Sequence, residues 1–169
     1  MIEALYYRDA MARLAGAVSI ITTNGEAGPF GFTASAVCSV TDSPPMLLVC
    51  MNRQSRQHEA FQTNAVLCVN VLASTQQVLS STFANKTLGM QQRFEHGKWI
   101  AGPSGSPLLL GALANFECRI HQVHEVGTHS IFIGEVMHID SDPRSEGLVY
   151  FDRGYYRVGN AAQMEGIAV

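Results

Sequence analysis

Short runs of apolar residues, many of them alternating with polar ones, follow one another along most of this chain. Such runs are typical of β-strands, and they predict strands over residues 17–23, 31–41, 46–51, 65–72, 108–123, 128–139, 147–151 and 155–158. Helical spacing is confined to 6–14, to a short stretch that Ser55 could cap and that ends near residue 61, and to 74–84. Residues between these elements, 85–107 above all, predict irregular structure rich in Gly, Ser and Pro. Many strands with a few short helices, none regularly interleaved, predict a mainly β fold, an antiparallel barrel or sandwich.

The segment 31–41, GFTASAVCSVT, has an unusual pattern for a predicted strand. With a two-residue period, one face is small and rich in hydroxyls; it consists of Thr33, Ser35, Val37, Ser39 and Thr41. The other face has the character of a core face; it consists of Phe32, Ala34, Ala36, Cys38 and Val40. The hydroxyl face has two interpretations, a polar outer face in contact with water or a platform on which a flat ligand reaches the backbone. The periodicity alone does not decide between them.

Length and composition predict one domain with its own core. The chain has 169 residues, of which 47% are hydrophobic and 15% charged, whereas about 25% charged is usual. We therefore expect part of the surface to be covered by a second subunit. No repeat or linker divides the chain, so we predict a single domain over 1–158 and a C-terminal tail over 159–169.

The net charge of −3 and the lack of a basic cluster argue against a nucleic-acid partner.

Targeting and metal-binding signals are weak throughout. No apolar run reaches the roughly 18 residues that cross a bilayer, and the N-terminus lacks the pattern of a signal peptide, so we expect a cytoplasmic protein without a membrane partner. The four cysteines stand in separate apolar runs, which predicts buried, reduced thiols. His121 and His124 would point to opposite faces of a strand, so no metal site is predicted.

Common nucleotide and nucleophile motifs are absent, since the chain contains no G-x-G-x-x-G, G-x-x-x-x-G-K or G-x-S-x-G. Residues 52–55, Asn-Arg-Gln-Ser, suit either a phosphate seat or a simple helix cap. Arg93 beside Phe94 offers either a cation for a ligand or ordinary surface packing. His129 would stand at the mouth of a barrel or serve the structure, and Tyr155 could close a ring-binding pocket or lie in a plain hairpin.

Taken in order along the chain, these segments resemble one protein family. The matching stretches are FTASAVCSVTDSPP, the strand and Asn-x-x-Ser at 46–55, LCVNVL at 67–72, Phe83, Arg93-Phe94, Gly127-Thr128-His129 and GLVYFDRGYY. They resemble the flavin reductase components of two-component aromatic monooxygenases, typified by the 4-hydroxyphenylacetate hydroxylase reductase. The resemblance covers about residues 5–157. A sister group, the flavin reductases of pyrimidine degradation, shares nearly all of these motifs.

The resemblance implies a fold and a set of site residues. The implied fold is a homodimeric, FMN-binding split β-barrel, antiparallel and Greek-key-like, which holds FAD or FMN without a covalent bond. Residues implied to contact the flavin ring, ribityl chain and tail are Thr33, Ala34, Ser35, Ser39, Val40, Asn52, Ser55, Phe83 and Arg93, to which we add Tyr155. His129, with Gly127, matches the part of the motif that helps to hold the nicotinamide dinucleotide. Thr128 stands where that motif has Asp, so no role is carried over to position 128.

The reaction that follows is hydride transfer from the nicotinamide C4 to the flavin N5, with the two atoms about 3–3.5 Å apart. It requires no catalytic acid or base from the protein. The sequence therefore predicts an NAD(P)H:flavin oxidoreductase that supplies diffusible reduced FAD or FMN to a partner monooxygenase. NADH is preferred to NADPH, because no basic cluster suggests a site for a 2′-phosphate. The alternatives are a pyrimidine-degradation-type reductase, a flavin carrier or redox sensor without turnover, an oxidase on the same barrel, and a structural domain.

Overall fold

The computed structural model describes residues 2–142 and 146–159. The helices are α1 (Ala4–Met11), α2 (His58–Asn64), α3 (Gln77–Ala84), which a 3-10 turn at Ser74–Gln76 precedes, and α4 (Met90–Phe94). The strands are β1 (Gly16–Ala17), β2 (Ser19–Thr23), β3 (Phe30–Ala34), β4 (Val37–Asp42), β5 (Pro45–Asn52), β6 (Val66–Val71), β7 (Trp99–Ala101), β8 (Pro107–Leu109), β9 (Ala114–Val126), β10 (His129–Ser141), β11 (Gly147–Phe151) and β12 (Gly154–Val158). In the part of the chain so described, no helix is both long and apolar enough to cross a membrane.

A curved antiparallel sheet of seven strands forms the body of the protein. Its strand order is β3-β2-β6-β9-β10-β5-β4, and the neighbours β2–β6 and β10–β5 require Greek-key-like crossovers. Strands β3 and β4 lie at opposite edges of this sheet, yet only residues 35 and 36 join them. Ala34 and Val37 are three residues apart, so their Cα atoms can be separated by at most about 11 Å, and the sheet must curl until these edges approach each other. The prediction of a mainly β split barrel with a few short helices is confirmed.

Two apolar clusters fill the fold. Inside the barrel, Phe61 of α2 packs with Phe132 of β10 at a ring-centroid distance of 6.3 Å, among the fully buried aliphatic side chains of β2 and β6. The second cluster lies between the barrel, α3 and the small sheet β1-β11-β12, and includes Ile20, Phe83 and Leu148. Because α3 belongs to this second cluster, it is held against β2 and β3 at one edge of the barrel.

A buried amide, Asn70 of β6, links four segments of the barrel. Its Nδ2 donates to the carbonyl oxygen of Ile20 at 2.9 Å and to the Thr22 hydroxyl at 3.0 Å. Its Oδ1 accepts from the backbone N–H of Leu109 and from Nδ2 of Asn115, both at 2.8 Å. Asn70 is fully buried, and satisfied buried networks of this kind hold one arrangement of the strands. The side chain therefore joins β2 and β6 to β8 and β9.

The prediction of one continuous strand over 31–41 is wrong. The chain bends at residues 35 and 36, where it passes from one edge of the barrel to the other. A register shift between Ser39 and Thr41 adds a bulge to β4. As a result, the predicted core face does not continue past Ala34: Cys38 is exposed, Val40 is 46% exposed, and Val37 of the opposite face packs against the core. The two-residue period holds only within a single regular strand, which explains the error.

The bounds of three other predicted elements also change. Helix α2 begins at His58, not at Ser55, and no side chain caps it; the turn at 52–58 precedes it. The segment 85–107 is not wholly irregular, since it contains α4 and β7. The predicted strand 108–123 is divided at Gly111, whose φ of +73° suits glycine and ends the β8 strand before β9 begins.

The cysteines are free, but only two of them are fully buried. Cys68 and Cys118 lie in the core, where burial and the nearby Glu117 carboxylate raise the pKa of Cys118 to about 12 and raise the pKa of Cys68 as well. Cys50 is half-buried and Cys38 is exposed, so the prediction of buried thiols is wrong for Cys38. The displaced side chain of Cys38 follows from the bend described above.

Candidate functional site

A cavity of about 760 Å³ opens where the two edges of the barrel approach each other. Four stretches of chain line it: the end of β3 with the bend, the end of β5 with the following turn, the segment from α3 to α4, and the start of β10. The lining residues are Phe30, Phe32, Thr33, Ala34, Ser35, Ala36, Cys50, Met51, Asn52, Gln54, Ser55, Arg56, Gln57, Phe83, Ala84, Lys86, Leu88, Gly89, Met90, Arg93 and His129. A cavity of this volume accommodates a drug-sized organic ligand.

Most of the residues predicted for a ligand site meet at this cavity. Those that line it are Thr33, Ala34, Ser35, Asn52, Ser55, Phe83, Arg93 and His129. They come from parts of the chain almost one hundred residues apart. The fold brings them together because β3 and β5 end, and β10 begins, at the same side of the barrel, which we call the seam. Their roles in ligand binding stay predictions.

Four other predicted site residues lie elsewhere. Ser39 and Val40 stand beyond the bend on β4, outside the lining of the cavity. The hydroxyl of Tyr155 shares a 2.8 Å hydrogen bond with Ser80 Oγ, so this side chain ties β12 to α3. Gly127 lines a neighbouring polar cleft of about 470 Å³.

The wall formed by β3 and the bend is held close to its neighbours. The Thr33 hydroxyl donates to the carbonyl oxygen of Ser80 at 2.6 Å, which fixes β3 against α3. A side chain at Gly31 would place its Cβ 2.8 Å from the ring of Phe83, so glycine lets that ring pack directly on β3. Gly16 packs in the same way on Ser35, where a Cβ would meet the Ser35 carbonyl oxygen at 3.3 Å. The exposed Ser35 side chain is thereby presented from a fixed backbone.

The turn after β5 is built from local hydrogen bonds. Asn52 Oδ1 accepts from the backbone N–H of Gln54 at 2.8 Å, and the Asn52 carbonyl oxygen accepts from the N–H of Ser55 at 3.0 Å. The Ser55 carbonyl oxygen in turn accepts from the N–H of His58 at 3.0 Å. Asn52 and Ser55 thus shape a compact Asx-type turn, and Ser55 does not act as the helix cap that the sequence suggested.

The start of β10 is fixed to this turn from the other side. His129 pairs with Asn52 in the β10–β5 register, and its Nδ1 lies 2.9 Å from the Thr128 hydroxyl. The backbone N–H of Arg53 donates to the Thr128 carbonyl oxygen at 2.9 Å, and its guanidinium pairs with Glu125 at 2.8 Å. These contacts, which the sequence pattern did not indicate, hold His129 at the rim of the cavity. Gly127 has φ +57° in the two-residue turn, as the first turn residue of a type II′ hairpin requires.

The charges around the cavity all have one sign. Arg56, Lys86 and Arg93 line it, whereas no Asp or Glu of the described residues does, although the chain as a whole has a net charge of −3. Such a one-sided distribution attracts an anionic ligand. Sequence reasoning missed Arg56 and Lys86, because isolated basic residues in turns carry no local signal of a site.

The cavity offers no metal centre and no activated nucleophile. Among the described residues, no group of three or more His, Cys, Asp or Glu side chains could hold a metal ion. Burial raises the pKa of Cys50, the thiol in the lining, which favours its protonated and less reactive form. The arrangement suits the binding of a flat, anionic ligand against a wall of small residues, with the chemistry carried by the ligand.

Comparison with known proteins extends this description. Residues 11–159 match the family model described as flavin reductase like domain. Over 152 residues, which are 90% of this chain and 84% of the relative, the chain is 53% identical to the FMN reductase (NADH) RutF of Variovorax paradoxus.

Two solved structures have the same fold along nearly their whole length. The NADH:FAD oxidoreductase SgcE6 of Streptomyces globisporus, in complex with NAD and FAD fragments, is 30% identical with a TM-score of 0.88, over 95% of this chain and 96% of that one. BorF, the flavin reductase component of a bacterial two-component tryptophan halogenase, is 29% identical with a TM-score of 0.87, over 94% of this chain and 99% of that one.

Proposed function

The chain belongs to the flavin reductase like domain family, and on this premise we propose that it is an NADH-dependent flavin reductase that acts on FMN or FAD. The observation that carries the proposal is the cavity at the seam, which combines a wall of small residues, three cations and His129 and has no Asp or Glu of the described residues in its lining. The isoalloxazine ring of a flavin is flat and suits the wall at Thr33, Ala34 and Ser35. Its phosphate end suits the cationic part of the lining.

The bound flavin would supply the redox chemistry: NADH would give up a hydride and become NAD⁺, and the flavin would take up that hydride together with a proton from solvent. The residues of this chain bind and orient the two partners. The bend at Ser35 would hold one face of the ring, and His129, at the rim of the cavity, would help to hold the nicotinamide dinucleotide. No side chain needs to act as an acid or base.

The reduced flavin would leave the site and serve a separate oxygenase. We favour the pyrimidine-degradation-type setting over an aromatic monooxygenase, because the relative from Variovorax paradoxus, at 53% identity, is an FMN reductase (NADH) of the RutF type. The same relative supports FMN and NADH as the preferred pair. We also propose a cytoplasmic homodimer: the apolar residues of α1, among them Leu5 and Tyr6, are about 70% exposed, and a second subunit would cover them.

The activity is tested by a steady-state assay of the purified chain with NADH or NADPH and with FMN or FAD. We expect flavin-dependent oxidation of NADH in air, fastest with FMN, with NADPH a poor substitute. Absence of NADH and NADPH oxidation with every flavin would refute the proposal. If the protein instead retained one tightly bound flavin per chain and did not turn over, the flavin-carrier alternative would be correct.

A substitution at the rim tests how the dinucleotide is held. His129→Ala should raise the KM for NADH by about ten-fold, equivalent to about 1.4 kcal/mol, because the imidazole at the cavity mouth is lost. The dissociation constant for FMN, measured by flavin fluorescence, should change less than two-fold. His121→Ala is the control, since His121 is exposed on β9 away from the cavity. Unchanged NADH kinetics in His129→Ala would remove this residue from the site.

A further inference from the structure

Arg93 is a charged side chain whose hydrogen bonds go to the backbone of one wall of the cavity. Its guanidinium and Nε donate to four carbonyl oxygens: Phe83 at 2.9 Å, Asn85 at 2.7 Å, Leu88 at 3.2 Å and Gly31 at 3.4 Å. The residue is 8% exposed. No carboxylate of the described residues forms an ion pair with it, and burial lowers the pKa of the guanidinium. Arg93 therefore binds together the backbone of residues 83–88 and joins it to β3.

The wall that Arg93 organises, residues 83–89, has little regular structure of its own. It leaves α3 at Ala84 and reaches α4 through a loop, in which Asn85 Oδ1 accepts from the N–H of Thr87 at 2.9 Å. At its far end the N–H of Gly89 donates to Gln92 Oε1 at 2.8 Å. Without the central guanidinium, several carbonyl oxygens facing inward would lose their donor, which is costly for buried groups. The conformation of the wall therefore depends on Arg93.

Lys86 lies in the loop of this wall and, unlike the buried Arg93, is exposed. Its side chain is exposed and lines the cavity, and no ion pair with a described carboxylate engages it. An ammonium group on a flexible stem can follow a phosphate that the rigid backbone cannot reach. The position of Lys86 over the cavity, however, is set by the loop that carries it.

We propose a division of labour in which Arg93 is a positioning residue that fixes the wall 83–89, and Lys86 is the residue that contacts the phosphate of the bound flavin. Arg93 itself does not contact the ligand, in contrast to the position near the flavin tail that the family resemblance implied. The inference rests on the proposed function, and it names the group that recognises the anionic end of the substrate.

Riboflavin, which lacks the phosphate of FMN, separates the two roles. Lys86→Gln should weaken FMN binding by about ten-fold, as for the loss of one charge-assisted contact, and should leave riboflavin binding within two-fold of the parent. The matched control is Lys98→Gln, an exposed lysine that does not line the cavity; it should change neither constant. If Lys86→Gln left the preference for FMN over riboflavin unchanged, or if Arg56→Gln alone abolished it, the assignment of Lys86 would be overturned.

Arg93 is tested with the same pair of ligands. Arg93→Met should weaken riboflavin and FMN by the same factor, about ten-fold or more, because the wall is displaced and no phosphate contact is lost. Arg93→Lys, which restores the charge but not the fork of donors, should recover less than half of this loss on a logarithmic scale; it also serves if the Met variant does not fold. The loss should appear more in the KM for FMN than in kcat, since the displaced wall serves binding. A loss confined to FMN would show that Arg93 touches the phosphate and would overturn its positioning role. NADH oxidation by the parent protein with FMN or riboflavin tests the proposed function separately. Its absence would refute the flavin reductase activity, whereas its presence with an unchanged preference for FMN in Lys86→Gln would overturn only the assignment of Lys86.

Discussion

Ser35→Leu is expected to abolish detectable flavin binding, with an increase in the FMN dissociation constant of at least about 100-fold, equivalent to about 2.7 kcal/mol. Ser35 is exposed at the bend between β3 and β4 and lines the cavity, and its backbone is packed on Gly16. Because this position faces the cavity, the added branched side chain would occupy the space proposed for the ring. Flavin fluorescence titration measures the effect, and thermal unfolding should show a change in Tm of less than about 2 °C.

Two variants make this prediction specific. Ser35→Ala removes the hydroxyl without adding bulk and should weaken binding by only a few-fold, which separates a steric effect from the loss of a hydrogen bond. Ser39→Leu introduces the same bulk four residues further on, outside the lining of the cavity, and should leave FMN binding nearly unchanged. Binding of FMN by Ser35→Leu within ten-fold of the parent would mean that the ring lies against another wall.

Asn70→Leu is expected to destabilise the fold by about 3–5 kcal/mol, because it leaves several buried donors and acceptors without a partner at once. The backbone N–H of Leu109 and the carbonyl oxygen of Ile20 both lose their hydrogen bonds to this side chain. For a chain of this size the loss corresponds to a fall in Tm of roughly 10 °C, which urea and thermal unfolding at equilibrium would measure.

Two controls are available, one inside the Asn70 network and one at the surface. Asn115→Ala removes one partner of Asn70 and should cost about 1–2 kcal/mol. Gln91→Leu, on the exposed side of α4, tests the same change of polarity at the surface and should alter stability by less than about 0.5 kcal/mol. A loss in Asn70→Leu no larger than that of Gln91→Leu would show that the buried amide does not hold the strands together.

Much of the secondary structure follows from local pattern. The β5 and β6 strands, for example, lie within a residue or two of the runs 46–51 and 65–72 that predicted them, because a strand that is buried on one or both faces needs apolar residues in its own sequence. The pattern failed at 31–41, where one apolar and polar alternation covers two strands. Neither half of that segment carries a signal for the bend, since the bend is imposed by the closure of the barrel.

The site, like the secondary structure, has residues that the sequence predicted and residues that only the folded chain brings out. Thr33, Ser35, Asn52 and His129 were predicted through resemblance, and the fold brings them to one cavity. Lys86 and Arg56 were not predicted, because what distinguishes them is a lining in which no described acid accompanies the cations, a property of the assembled cavity. Arg93 was predicted as a ligand contact, and that role stays a prediction. Its guanidinium donates to carbonyl oxygens of residues as far apart as Gly31 and Leu88, which are adjacent only in the folded chain.

The sequence by itself determined that this protein is mainly β, that its few helices are short, and that its motifs place it in a flavin reductase family. Periodicity and composition suffice for the first two conclusions, since these depend on neighbours within a strand or turn. The third rests on the resemblance of the motifs, taken in order along the chain, to that family. The tertiary structure decided which side chains share the cavity, where β3 ends and β4 begins, and that Arg93 organises a wall. These features depend on pairing between strands far apart in the chain, such as β5 with β10, and the free energy of such pairing comes from contacts that no local pattern records.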